Sequence, residues 1–272
     1  MTEQGASWLR GCGLGCAGLA VIGVIGVVGM TVSLRSGFDE AHARRQQLEE
    51  RSAGETPFTP APDGTIPADR VEAFLVVRDA LAPVCAELEA RDDEAEEFER
   101  LADEEASPTV ALPAILRLTR SMMGLPFLFA EVESVRNQAL LETGMGLEEY
   151  TWLYSVVYRD QLAQAGAETR LLSGSADNER IRADLRVVLH RQLEAARAAP
   201  VSDAWLGALA AEVHALDLDP ERLPWQDGLP EPVEASLAPY RKRLDAAFSA
   251  AAAEFELLNS TVRHGGLNIQ LN

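Results

Sequence analysis

Apolar and polar positions change rhythm several times along this chain, and each change marks a different kind of segment. Residues 11–34 (GCGLGCAGLAVIGVIGVVGMTVSL) hold no charged side chain and lie between Arg10 and Arg35. At about 1.5 Å per residue a helix of this length reaches roughly 36 Å, enough to cross a hydrocarbon core of about 30 Å. Backbone groups inside lipid must bond to one another, so the stretch predicts one transmembrane helix after a short tail, residues 1–10. Residues 38–51 (FDEAHARRQQLEER) are polar and predict a solvated continuation of that helix. Prolines 57, 60, 62 and 67 with Gly54 and Gly64 then predict a semi-extended spacer, which completes a juxtamembrane region over residues 35–68.

From residue 69 to about 260 the apolar residues recur at three- and four-residue steps, the period of amphipathic helices. Val71, Phe74, Leu75, Leu81, Cys85 and Leu88 mark the first, with Pro67 and Asp69 suited to its start, and it runs on into the acidic stretch 92–105. A second pattern covers 109–123 and is expected to break at Gly124-Leu125-Pro126. A third runs from Pro126 to about Thr143, with Gly144 placed to end it. Further helices are predicted over 147–165, over 178–198, and from a Ser202 cap through Leu216. The last carries Val233, Leu237, Tyr240, Leu244, Phe248, Ala251, Phe255 and Leu258 without a break. Only Leu267, Ile269 and Leu271 alternate like a strand, and residues 261–272 are expected to form a flexible tail. The expected architecture is therefore all-α: one transmembrane helix, a proline-rich linker, and a soluble bundle of about six or seven helices.

Alternative readings of the N-terminus fit less well. A cleaved signal peptide has a shorter apolar core and a small-residue exit site. Cys12 and Cys16 precede the apolar run, which excludes a lipoprotein signal. Gly13, Gly15 and Gly18 match G-x-G-x-x-G, but no strand precedes them and a membrane span follows, so no dinucleotide site is expected. Within the span, Gly11, Gly15, Gly18, Gly26, Gly29 and Ser33 share an arc of about 80° at 100° per residue. Small residues let helix backbones approach in lipid, so this face is the candidate packing surface for a homodimer.

Charge narrows the choice of partners. The net charge is −19, and the soluble part carries nearly all the acidic residues, so it repels nucleic acid and anionic headgroups. Lys242 is the single lysine against many arginines, a bias of GC-rich bacterial coding. Counting Arg10 against Arg35, Arg44 and Arg45, the positive-inside rule alone would leave the large domain in the cytoplasm. Long domains translocate largely regardless of charge, and the expected location is the outer side of a bacterial cytoplasmic membrane.

Candidate chemistry is sparse. His42, His190, His214 and His264 lie in different segments and form no ligand pair, and Cys85 is alone in the soluble part, so no metal or cofactor is expected. The acidic run lacks the glycine and ligand spacing of a calcium loop and predicts a solvated helix face. No nucleophile elbow or phosphate loop is present. The most informative soluble segment is EEYTWLYSVVYRD, where Tyr150, Tyr154 and Tyr158 fall at i, i+4 and i+8 on one stripe. Tyrosine buries its ring while its hydroxyl needs a partner. Such a stripe either packs as a core helix or lines a groove with polar rims for a peptide or small ligand. The expected role is protein–protein contact, with a ligand site or enzyme assembled from separate helices, or a cytoplasm-facing regulator, as the alternatives.

Overall fold

The computed structural model describes residues 39, 41–51, 56–103, 108–168, 176–219 and 222–258. The predicted membrane span with its glycine face, and the C-terminal tail, lie outside these residues. The described residues are helical, with no strand among them. Helix α1 covers 41–51, α2 Ala68–Asp103, α3 Pro108–Thr143, α4 Leu147–Val157, α5 Arg159–Glu168, α6 Ala176–Ala198 and α7 Asp203–Leu218. After α8 (Glu231–Leu237) come a 3-10 turn (Ala238–Tyr240), α9 (Arg241–Ala246) and α10 (Ala250–Leu258).

The frame is the antiparallel pair α2/α3, two helices of 36 residues each, about 54 Å long at 1.5 Å per residue. The short α4 and α5 pack on each other, α4 also meets α6, α6 pairs with α7, and α10 packs on α2, α3, α5 and α6. One hydrophobic core joins them, from Val71, Phe74, Leu75 and Leu81 on α2 to Leu185, Val188 and Leu189 on α6 and Ala252 on α10.

Several predicted boundaries hold. Helix α3 ends at Thr143 and Gly144 follows at φ +67, a conformation in which a Cβ would be strained. Ser202 caps α7, its side chain accepting from the Trp205 N–H at 3.2 Å.

The structure corrects other expectations. Helix α3 continues through Gly124-Leu125-Pro126. Pro126 removes one helical N–H, at a cost of about 3 kcal/mol, and the long packing of α3 on α2 outweighs it. Helix α2 likewise takes Pro83 in its interior. The final amphipathic run is broken where the periodicity showed no break. Pro239 cannot donate to the helical ladder, so the chain tightens to a 3-10 turn there. A second break follows α9, and the Ser249 side chain then accepts from the Ala252 N–H at 3.4 Å to start α10. The expected helix over 147–165 divides at Tyr158, whose backbone sits at φ −103, ψ 17.

The segment between the predicted span and α2 differs most. Helix α1 is docked instead of solvated on all sides. Ala41 and Leu48, one turn pair apart on one face, are buried, and the Arg44 guanidinium donates to the Ser134 carbonyl at 3.1 Å. Arg45 pairs with Glu133 at 3.2 Å, so α1 lies along the second half of α3. The proline-rich segment is a strap held to the body, not a free spacer. Pro60, Gly64 and Ile66 are buried. The Gly64 N–H closes a turn onto the Ala61 carbonyl at 3.0 Å, and Asp63 accepts from the Thr65 N–H at 3.0 Å.

Candidate functional site

The tyrosine stripe forms as the spacing predicts, and it faces inward. Tyr150, Tyr154 and Tyr158 are 1%, 1% and 0% exposed. Their rings stack in sequence, 6.0 Å from Tyr150 to Tyr154 and 4.9 Å from Tyr154 to Tyr158, with Phe74 and Phe248 against the ends. All three belong to the hydrophobic core. Trp152, off the stripe, is buried against Phe58 of the strap.

The stripe's hydroxyls meet charges that the periodic pattern did not single out. Arg78 sits on the inward face of α2, three or four residues from Phe74, Leu75 and Leu81, and is 1% exposed. Its guanidinium pairs with the Glu256 carboxylate of α10 and lies 3.2 Å from the Tyr150 hydroxyl. It also donates to the Ala247 carbonyl at 3.2 and 2.7 Å, at the break between α9 and α10. The rings of Tyr154 and Tyr158 face it at 5.3 and 5.5 Å, a cation–π arrangement. The Tyr150 hydroxyl donates to the second Glu256 oxygen. Arg136 on α3, also buried, donates to the Glu256 backbone carbonyl at 3.4 Å and lies against Asn137. Four helices thus bring one carboxylate, two guanidiniums and three phenols to one place.

The electrostatics follow from burial. Burial works against the Arg78 charge, but Glu256 and the three tyrosines more than compensate and hold its pKa well above the ordinary value. Burial, and then the Glu256 carboxylate, push Tyr150 and Tyr154 well above 10, while Tyr158 is pushed up to about 12. All three stay protonated at neutral pH and act as donors. Cys85, buried on the same face of α2, has its thiol pKa raised, first by burial, so it is not an activated thiolate. Two of the phenols leave their hydroxyls without a partner among the described residues, Tyr154 and Tyr158, as does the Asn137 amide nitrogen.

Such a cluster is a clasp. It joins α2, α3, α4 and α10 through a charge pair that low dielectric strengthens, at a desolvation cost that the hydrogen bonds offset. Sequence could have pointed to it: Arg78, Arg136 and Glu256 each place a charge at three- or four-residue steps from buried apolar neighbours. The helical pattern names such positions but not their partners, because Arg78 and Glu256 are 178 residues apart.

The remaining candidates are dispersed. His190 is exposed and meets Asp217 at 3.0 Å, while His42 and His214 are exposed in separate helices. No group of three or more metal-ligating side chains occurs among the described residues. The acidic residues Asp92, Asp93, Glu94, Glu96 and Glu97 of α2 face solvent. Comparisons with protein-family models, with curated proteins and with solved structures found no match.

Proposed function

We propose that this chain is a single-pass membrane protein of the bacterial cytoplasmic membrane. Its helical body, outside that membrane, works through contacts with other proteins. Residues 11–34 meet the bilayer, and the face of Gly11, Gly15, Gly18, Gly26, Gly29 and Ser33 suits a homodimer. The observation that carries the reading is the inward use of the body's chemistry. The polar side chains best suited to a ligand are consumed in the Arg78–Glu256–Tyr150 clasp, while the surface carries acidic helix faces.

Affinity capture of the full chain, cross-linked in the membrane, tests this reading. A defined partner protein recovered with the chain is the expected result; recovery of the chain with lipid alone would count against it. Reporter fusions at Asn272 test the side: a periplasm-only enzyme should be active, and a fluorescent cytoplasmic fusion would instead favour the cytoplasm-facing regulator.

One observation favours a second reading, a small-ligand protein or enzyme. The clasp does assemble from separate helices, and the Tyr154 and Tyr158 hydroxyls have no partner among the described residues. A small molecule retained by the purified chain in native mass spectrometry, and lost in Tyr154→Phe, would support it.

A further inference from the structure

The strap is bound to the body in the way proteins bind proline-containing peptides. Proline lacks an N–H, so such segments keep their backbone carbonyls free as acceptors, and recognition supplies donors and flat aromatic walls. Here the Trp205 indole N–H donates to the Pro62 carbonyl at 2.6 Å, and the Gln192 amide donates to the Ala61 carbonyl at 2.9 Å. At the ends of the strap, the Phe58 N–H donates to Glu148 and the Ile66 N–H to the Ser236 hydroxyl, both at 3.0 Å. Trp152 walls Phe58 at 5.7 Å. Phe58, Pro60, Ala61, Pro62, Gly64 and Ile66 of the strap are partly or fully buried, while Pro57, Thr59, Asp63 and Thr65 are exposed. The hydrogen bonds read backbone atoms; the demand on sequence is for glycine at position 64, where φ is +78 and the Trp205 ring leaves no room for a Cβ.

A second observation points to another occupant. The indole nitrogens of Trp152 and Trp225 and the amide oxygen of Gln192 are buried without a partner among the described residues. Trp152 and Gln192 contact the strap directly, and Trp225 stacks on Trp205 at 5.8 Å. Trp225 also sits at φ 59, unusual for a bulky residue, held there by Glu212 on its N–H and Arg159 on its carbonyl. The strap therefore leaves part of the hydrogen-bonding capacity around its seat unused.

We propose that this bed on α4, α6, α7 and α8 is a recognition site for proline-containing segments of a partner protein that carry a glycine turn, and that residues 56–66 fill it in cis as a displaceable stand-in. The inference deepens the contact reading above and rests on it. A partner segment with an aromatic residue followed by alternate prolines, and with amide or carbonyl groups opposite the unused atoms, makes the strap's bonds and more.

The test uses the full chain in detergent and a fluorescent synthetic peptide of the strap sequence TPFTPAPDGTIP. Gly64 has φ +78, and a Cβ there would lie 2.6 Å from the Trp205 ring, so Gly64→Val unseats the chain's own strap while leaving the bed intact. Fluorescence anisotropy should show saturable binding at least tenfold tighter for Gly64→Val than for the wild type. Adding Trp205→Phe, which keeps a ring and removes the donor, should weaken it about tenfold. Hydrogen exchange on the unaltered chain gives a second reading: excess unlabelled peptide should speed exchange at the Phe58 and Ile66 amides. Equal, weak binding by wild type and a folded Gly64→Val, or unchanged exchange at both amides, overturns the proposal. Partner capture without peptide binding removes the groove and keeps the contact reading. Peptide binding without any captured partner removes the contact reading and leaves the bed as a seat for the strap alone.

Discussion

Replacing Glu256 by leucine removes a buried carboxylate and leaves its partner charge in place. The Arg78 guanidinium is 1% exposed, and without Glu256 it keeps, among the described residues, the Ala247 carbonyl, the Tyr150 hydroxyl and two ring faces. An uncompensated buried charge of this kind costs about 3–5 kcal/mol. In a domain of this size each kcal/mol moves Tm by about 2–4 °C, so Glu256→Leu should lower Tm by roughly 6–20 °C. Arg78→Met strands Glu256 instead and should cost a similar amount. The double variant removes both charges but leaves the Tyr150 hydroxyl without either partner, so it should lose about 1–3 kcal/mol, well short of the two single losses added together. Thermal unfolding of all four proteins, followed by far-UV circular dichroism, completes a double-mutant cycle. The reasoning fails if Glu256→Leu alone costs under about 1 kcal/mol, or if the double variant loses the sum of the single losses.

The tyrosines should separate by hydroxyl. Tyr150→Phe breaks the bond to Glu256 and should cost about 1–3 kcal/mol, whereas Tyr154→Phe removes a hydroxyl with no partner among the described residues and should be neutral or stabilising; matching melts for the two would contradict the clasp. Tyr154→Ala, which opens a cavity, should cost roughly 3–5 kcal/mol, a loss that a melt near wild type would exclude. Asp63 has its pKa lowered, chiefly by the Thr65 N–H, so its contribution is present above the unfolded value of about 3.9 and is lost as pH falls through the lower folded value. Strap amides should therefore exchange faster as pH drops below about 4, after correction for intrinsic rates, and Asp63→Asn should flatten that dependence; identical profiles would refute it. In a membrane reporter assay of the isolated span, Gly15→Ile or Gly26→Ile should weaken self-association while Gly23→Ile does little, and equal signals from all three would dismiss the dimer face.

Local periodicity made the all-helical body legible. The ends of α6 and α7 and the end of α3 fall within a few residues of the expected positions because the apolar faces and the Ser202 and Gly144 signals are local. The breaks were harder to read. Proline is a breaker in isolation, yet Pro126 is absorbed by packing on α2 while Pro239 ends a helix, and only the tertiary neighbourhood separates the two. The strap was legible as proline-rich but not as bound, because its anchors, Gln192 and Trp205, lie 131 and 143 residues away. The tyrosine spacing correctly put three rings on one face. What they face, Arg78 and Glu256, depends on contacts between the two ends of the domain.

That long separation bears on how the protein is made. Arg78 is synthesised 178 residues before the carboxylate that neutralises it in the core. At about 5–20 residues per second, the interval is roughly 10–40 s. During that time α2 and α3 can pair, but the face carrying Arg78 has no completed interior to enter. The closing act belongs to α10, so any chain that stops before residue 256 is trapped with an unanswered charge beside Phe74 and Leu81. Formation of the clasp therefore waits on the synthesis of α10, however early α2 and α3 pair.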